Sequence, residues 1–329
     1  MNLKQILFSY LLLVLPASLL SANTSGFDTN NKAIKTFIND MVKEHKFDNS
    51  ELKTLLGKAR LHQSILDAIS RPAESKPWHQ YRPIFLTNDR IKGGVKFWKT
   101  HQDILRQAEK KYQVPAPIIT AIIGVETRYG RHIGRYPVLD SLATLAFAYP
   151  PRSRFFRSEL EQYLLMTREE KLDPLKQMGS YAGAMGMPQF ISSSFRSYAI
   201  DFDNSGHRDL WDSPADVIGS VANYFYRHGW KHSQPIVQRV QVKGEAYRKF
   251  LKKGLKPSST VDEMRKHGVI IPAETAGDQK AILLELEGKS GTEHWLGLHN
   301  FYVISRYNHS ALYSLAVYQL SREIMAEMK

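Results

Sequence analysis

Apolar positions recur at helical spacing through most of the chain. Between residues 32 and 45, Ile34, Phe37, Ile38, Met41 and Val42 fall three and four apart, which predicts an amphipathic helix. A second helix is expected to open on Ser50 as its cap and run through Arg60. Residues 27 to about 92 read as helical, except where prolines around Trp78, Tyr81, Arg82, Phe85 and Leu86 suggest an extended segment. One long helix is expected over about 94–113. Further helices follow over 140–148, 153–168, 214–228 and 310–328, with Ser213 capping the third and Pro214 at its first position. Between 234 and 298 the period changes to two. There 236–242 and 281–286 alternate like strands, so this stretch reads as a small mixed α/β insertion in a mainly α chain.

One helix carries a chemical group on its apolar side. In 115–130, Pro117 suits the first turn and Gly130 the stop. Ile119, Ile122, Ile123 and Glu126 then share one face at i, i+3, i+4 and i+7. Burial there would disfavour the charged carboxylate, leaving a proton to deliver near neutral pH. The alternative is an ion pair with Arg128 or Arg131 at the helix end.

Composition narrows the setting. Residues 1–22 run from a Lys4-bearing start through an apolar stretch to Ser21-Ala22, the form of a secretory signal peptide. Leu20 is large for the −3 position, and Pro16 interrupts the run, which weighs against a retained membrane anchor. The absence of cysteine excludes disulfides, thiolate metal sites and a lipid anchor attached through that residue. Net charge is +13, or +12 without Lys4, and favours a polyanionic partner. The basic residues are scattered and form no nucleic-acid motif, so an exported chain points to an acidic wall polymer.

Three other stretches carry candidate chemistry. Residues 180–190 are small and Gly-rich, able to approach a ligand closely, with Gln189 as donor and acceptor; tight helix packing yields similar runs. Residues 201–212 place Asp201, Asp203, Ser205, His207 (through its carbonyl), Asp209 and Asp212 at the spacing of an EF-hand calcium loop, with Gly206 at position 6. Serine at position 5 and the shorter Asp at position 12 depart from that pattern, and a solvated acidic turn is the alternative. Tyr129, Tyr149, Phe155, Phe156, Tyr181, Trp211, Trp230 and Tyr307 are aromatics of the kind that stack on sugar rings, although most such residues fill cores.

Taken in order, Gly124-Val125-Glu126-Thr127-Arg128-Tyr129-Gly130, the 182–186 run with Gln189-Phe190, the acidic loop, and Asn300-Phe301-Tyr302 with residues 306–310 resemble the landmarks of the membrane-bound type B lytic murein transglycosylases. The resemblance implies a lysozyme-like helical catalytic domain over 23–233, carrying the substrate groove and calcium loop. The insertion would occupy 234–298, and 299–329 would return to the helical domain. It implies cleavage of the β-1,4 bond between N-acetylmuramic acid and N-acetylglucosamine without water, leaving a 1,6-anhydro ring. A hydrolytic lysozyme and a non-catalytic wall-binding protein are the alternatives. Glu126 would be the sole acid/base and Ser180 would orient it, while Gln189, Phe155, Tyr307 and Asn308 would contact glycan. Calcium would be structural, no organic cofactor is expected, and the chain would be soluble in the periplasm. Peptidoglycan strands would be its partners, with proteins of wall synthesis or remodelling as candidates. Met187-Pro188 stands where the family more often has Tyr-Gly, and Ser192 where it often has Pro.

Overall fold

The structure, a computed structural model, describes residues 26–70, 76–251 and 254–329. The leader 1–22 lies outside them. Among the described residues no helix is long and apolar enough to cross a membrane.

In chain order the helices are α1 (Lys32–His45), α2 (Asn49–Lys58), α3 (Gln63–Ser70), α4 (Trp78–Phe85), α5 (Asn88–Thr100), α6 (Gln102–Tyr112) and α7 (Ala116–Thr127). Next come the two-residue strand β1 (Tyr136–Pro137), α8 (Val138–Ala148), α9 (Ser153–Glu169), the short strand β2 (Met178–Gly179), α10 (Ser192–Tyr198) and α11 (Pro214–Arg227). The sheet region holds β3 (Val237–Val242), β4 (Ser259–Thr260), α12 (Val261–Lys266), β5 (Val269–Ile270), β6 (Lys280–Gly288) and β7 (Gly291–Gly297). Helices α13 (His299–Tyr307) and α14 (Ala311–Glu327) close the chain. They form two compact units, one from 26–70 with 126–220 and the other from 76–125 with 221–329, the boundary falling inside α7 and again inside α11.

In the first unit, α1 buries Ile34, Phe37, Ile38 and Met41, the stripe its periodicity predicts. Helix α2 differs from expectation: Asp48, not Ser50, is the cap, accepting from the N–H groups of Ser50 and Glu51, and the helix ends at Lys58. Asp48 lies one residue outside the helix, where a carboxylate reaches the free first-turn donors. Helices α8 and α9 supply the core, with Leu142, Leu145, Phe156, Leu160 and Leu164 buried.

In the second unit the proline-marked stretch is helix α4, not an extended segment, despite Pro83 inside it. Trp78, Tyr81 and Phe85 repeat at i, i+3 and i+7, and burying three aromatic rings outweighs the one backbone bond proline forfeits. The helix expected over 94–113 is two, α5 and α6, separated at His101, which stands at φ −115° outside helical geometry. The five strands pair antiparallel in the order β4-β6-β7-β3-β5. Leu283 stands opposite Leu296 in the β6–β7 ladder. These two side chains pack with Val240, Tyr247, Phe250 and Val261 into the sheet's own core.

Candidate active site

Helix α7 is apolar over nearly its whole length, and Ile119, Ile122 and Ile123 are fully buried. Glu126 sits half-buried in its last turn. The helix stops before Gly130: Arg128 and Tyr129 already hold φ of 51° and 61°, followed by Gly130 at 86°. Two consecutive non-glycine residues in the left-handed region cost of order 1 kcal/mol each or more. Side-chain and backbone bonds maintain this exit, since Thr127 Oγ1 accepts from Gly130 N–H (3.0 Å) and donates to the Met187 carbonyl (2.9 Å).

That second contact reaches the Gly-rich segment. The chain folds there into a closed hairpin, with Met185 and Phe190 exchanging both backbone bonds (2.8 and 3.1 Å) and Ser180 N–H bound to the Ala184 carbonyl. Strand β2 pairs with β1 at its base, Gly179 facing Tyr136. Gly186 has φ +66°, and a Cβ on it would strike the Leu210 carbonyl, so the close approach is met by backbone. Gln189 is also left-handed at φ 52°, with its amide nitrogen donating to the Ile133 and Gly186 carbonyls. Ser180 is buried, and its hydroxyl oxygen accepts from both Ala182 N–H (3.3 Å) and Ala184 N–H (3.0 Å). With both lone pairs engaged, its one proton is left to donate.

Phe155 is half-buried on α9 under the Arg152 guanidinium, 4.4 Å from the ring centre. On the same helix Glu159, which sequence reasoning missed, is 5% exposed and accepts from the Ser193 N–H (2.9 Å) and hydroxyl (2.7 Å). Burial pushes its carboxyl up from the usual range, against those hydrogen bonds and the Arg152 charge. Tyr307 and Asn308 belong to the other unit. There Tyr307 packs against Tyr224 (4.8 Å) and Phe225 (5.8 Å), and Asn308 is buried.

The acidic loop is closed by its own carboxylates. Asp201 accepts from Ser205 and Gly206 N–H, and Asp203 accepts from Ser205 N–H and the Ser213 hydroxyl. Ser205 donates its hydroxyl to the His207 carbonyl. Asp201, Asp203 and the buried Asp216 bring carboxylate oxygens within 4.8 Å of one another. Asp209 and Asp212 lie outside that group; Asp209 instead accepts from the N–H groups of Trp211 and Asp212. The reason is local, because α11 starts only at Pro214, which moves the first-turn acid to Asp216. Burial, reinforced by the charges of Asp203 and Asp201, raises the Asp216 pKa. The signal for it was present: Ser213 accepts from Asp216 N–H, the spacing of a capping box. Three carboxylates with the Ser205 hydroxyl and the His207 carbonyl nearby in the loop make an all-oxygen donor set, which fits a hard cation such as calcium.

Comparison with known proteins identifies the family. Residues 29–322 match the transglycosylase SLT domain. Over 309 residues the chain is 43% identical to membrane-bound lytic murein transglycosylase B of Escherichia coli K12, covering 91% of this chain and 84% of that relative. The soluble lytic transglycosylase SltB1 of Pseudomonas aeruginosa superposes with a TM-score of 0.86 at 49% identity, covering 89% of this chain and 98% of that one. The E. coli lytic transglycosylase Slt35, solved in complex with calcium, gives 0.85 at 41% identity over 93% of this chain and 96% of its own. With a family model matched over most of the chain and a relative 43% identical across 91% of it, the chain belongs to the transglycosylase SLT family.

Proposed function

We propose that the chain is a peptidoglycan lytic transglycosylase that cleaves the β-1,4 bond between N-acetylmuramic acid and N-acetylglucosamine, with Glu126 as its acid and base. The observation that carries the reading is a half-buried carboxyl at the end of an apolar helix in a chain of the transglycosylase SLT family. Protonated Glu126 donates to the leaving oxygen while the 2-acetamido group of the muramic acid sugar stabilises the anomeric carbon. The resulting carboxylate then takes the proton of that sugar's 6-hydroxyl, whose oxygen closes the anhydro ring. Ser180, with its proton left to donate, orients Glu126. Gln189 and Phe155 contact the sugars, as do Tyr307 and Asn308.

Water-dependent glycosidases usually use a second carboxylate on the opposite sugar face. The four buried acids among the described residues are otherwise engaged. Asp140 holds Arg60 N–H and His62, Glu159 holds Ser193, Glu170 holds Arg208, and Asp216 holds the N–H groups of Phe202 and Asp209. What supports the non-hydrolytic reading over the lysozyme alternative is the family, whose relatives are lytic transglycosylases.

Asp201, Asp203 and Asp216 would hold a calcium ion, with Ser205 and the His207 carbonyl as further oxygen donors. The ion would supply charge neutralisation and bracing of the loop, with no part in proton transfer. The leader 1–22 would export the chain to the periplasm as a soluble protein, with the helical catalytic domain and the 234–298 insertion in the roles expected above. Glu126→Gln tests the central assignment, because it keeps shape and removes the transferable proton. Turnover of purified wall material is expected to fall about a hundred- to ten-thousandfold with the fold intact. Activity within tenfold of wild type would sink the assignment.

A further inference from the structure

Helix α10 opens without a cap of its own. Ile191 stands at its N-cap with no side-chain acceptor, although the first-turn N–H groups need partners. Glu159 of α9 supplies them from 34 positions away, Oε2 accepting from Ser193 N–H and Oε1 from the Ser193 hydroxyl. Placing a carboxylate that is 5% exposed in this role is costly, when a serine at position 191 would cap the helix locally. The distant cap does what a local one cannot, since it joins two elements.

Each element carries part of the glycan contact proposed above, on which this inference rests. Upstream of α10, Phe190 closes the hairpin onto Met185 in both directions, so Gln189 is tied to the start of the helix. One turn before Glu159 on α9, Phe155 lies under Arg152, whose guanidinium is 4.4 Å from its ring and 5.1 Å from that of Phe156. Arg152 also lies in the field of the Glu159 carboxylate. We infer that Glu159 is a positioning residue for glycan binding, its carboxylate fixing the Gln189 hairpin against the start of α9, where Phe155 lies beside Arg152, the residue just before the helix.

A plain structural cap would change stability and leave sugar binding alone. The test is therefore a double-mutant cycle on purified glycan strands, reading KM, kcat and Tm for wild type, Glu159→Gln, Phe155→Ala and the pair. Glutamine keeps the volume but turns an amide N–H₂ toward a Ser193 donor, so one charge-assisted contact is lost. KM is expected to rise about tenfold with kcat within about threefold, the loss of one such bond. The double variant should bind no worse than the weaker single one, because both changes remove the same platform. A lower Tm with wild-type KM would overturn the inference, and so would KM increases that multiply in the pair. If Glu159→Gln does not fold, Ser193→Ala, which removes one hydroxyl and no charge, should raise KM two- to threefold with the same non-additivity, and an unchanged KM there would overturn it. A wild-type chain that leaves the strands uncut would overturn this inference together with the reading beneath it, and is recognised by absent turnover in every variant.

Discussion

Between Ser180 and Phe190 the chain closes through its own backbone, whereas between Asp201 and Asp212 it closes through charged side chains. The hairpin has two-way Met185–Phe190 bonds, and five of its residues, Ala182 through Gly186, are buried. The acidic loop is exposed from Asp203 to His207, and its bonds run from backbone N–H groups to carboxylates that repel one another. One segment is therefore shaped by sterics and indifferent to ions, while the other is shaped by charge and depends on what neutralises it. The hairpin can be precise without a cofactor; the loop would gain rigidity from the cation proposed for its three convergent carboxylates.

The largest effect that separates the two is expected at Gly186. Alanine there would meet the Leu210 carbonyl at a φ of +66°. Gly186→Ala should cost about 2 kcal/mol or more, read by urea unfolding, and calcium should not restore it. A variant as stable as wild type would break the steric account of the hairpin. The acidic loop should behave in the opposite way. Calcium at a hundred times its Kd is expected to add about 2.7 kcal/mol to the wild type, a rise of several degrees in Tm. Asp201→Ala with Asp203→Ala should abolish that response, as should Asp216→Ala, whereas Asp212→Ala should retain it. An equal response in all four proteins would remove the site from the loop.

The smallest effect concerns pH. Burial raises the Glu159 pKa above its unfolded value, so its contribution favours the folded state at low pH and is lost as pH rises through the folded pKa. Wild type should therefore lose Tm relative to Glu159→Gln as pH rises above the ordinary glutamate range. A difference that stays constant, or grows in favour of wild type as pH rises, would contradict the direction of the shift.

What sequence could and could not reveal follows the same division. The α1 stripe, the alternation of β3 and the Ser213 cap of α11 are local, and each is found where its pattern predicts. Pro83 disguised α4 because its helix is stabilised by three buried aromatics, a tertiary gain that local propensity does not see. Glu159 was missed for a related reason. Its role lies in a contact 34 residues away, with Ser193, so spacing rules built on neighbouring positions pass over it, whereas Asp216 stood three residues after its Ser213 partner, within reach of such a rule. Asp212 drew attention because it holds position 12 of a linear pattern, yet the helix that would deliver it begins two residues later.

The central claim is that one carboxyl, Glu126, serves both proton transfers and the substrate supplies its own nucleophile. Mass spectrometry of glycan fragments released in oxygen-18 water tests it directly. The account predicts fragments one water lighter than hydrolysis would give, without label and without new reducing ends. Reducing-end fragments that carry oxygen-18 as the main product would contradict it and return the lysozyme reading.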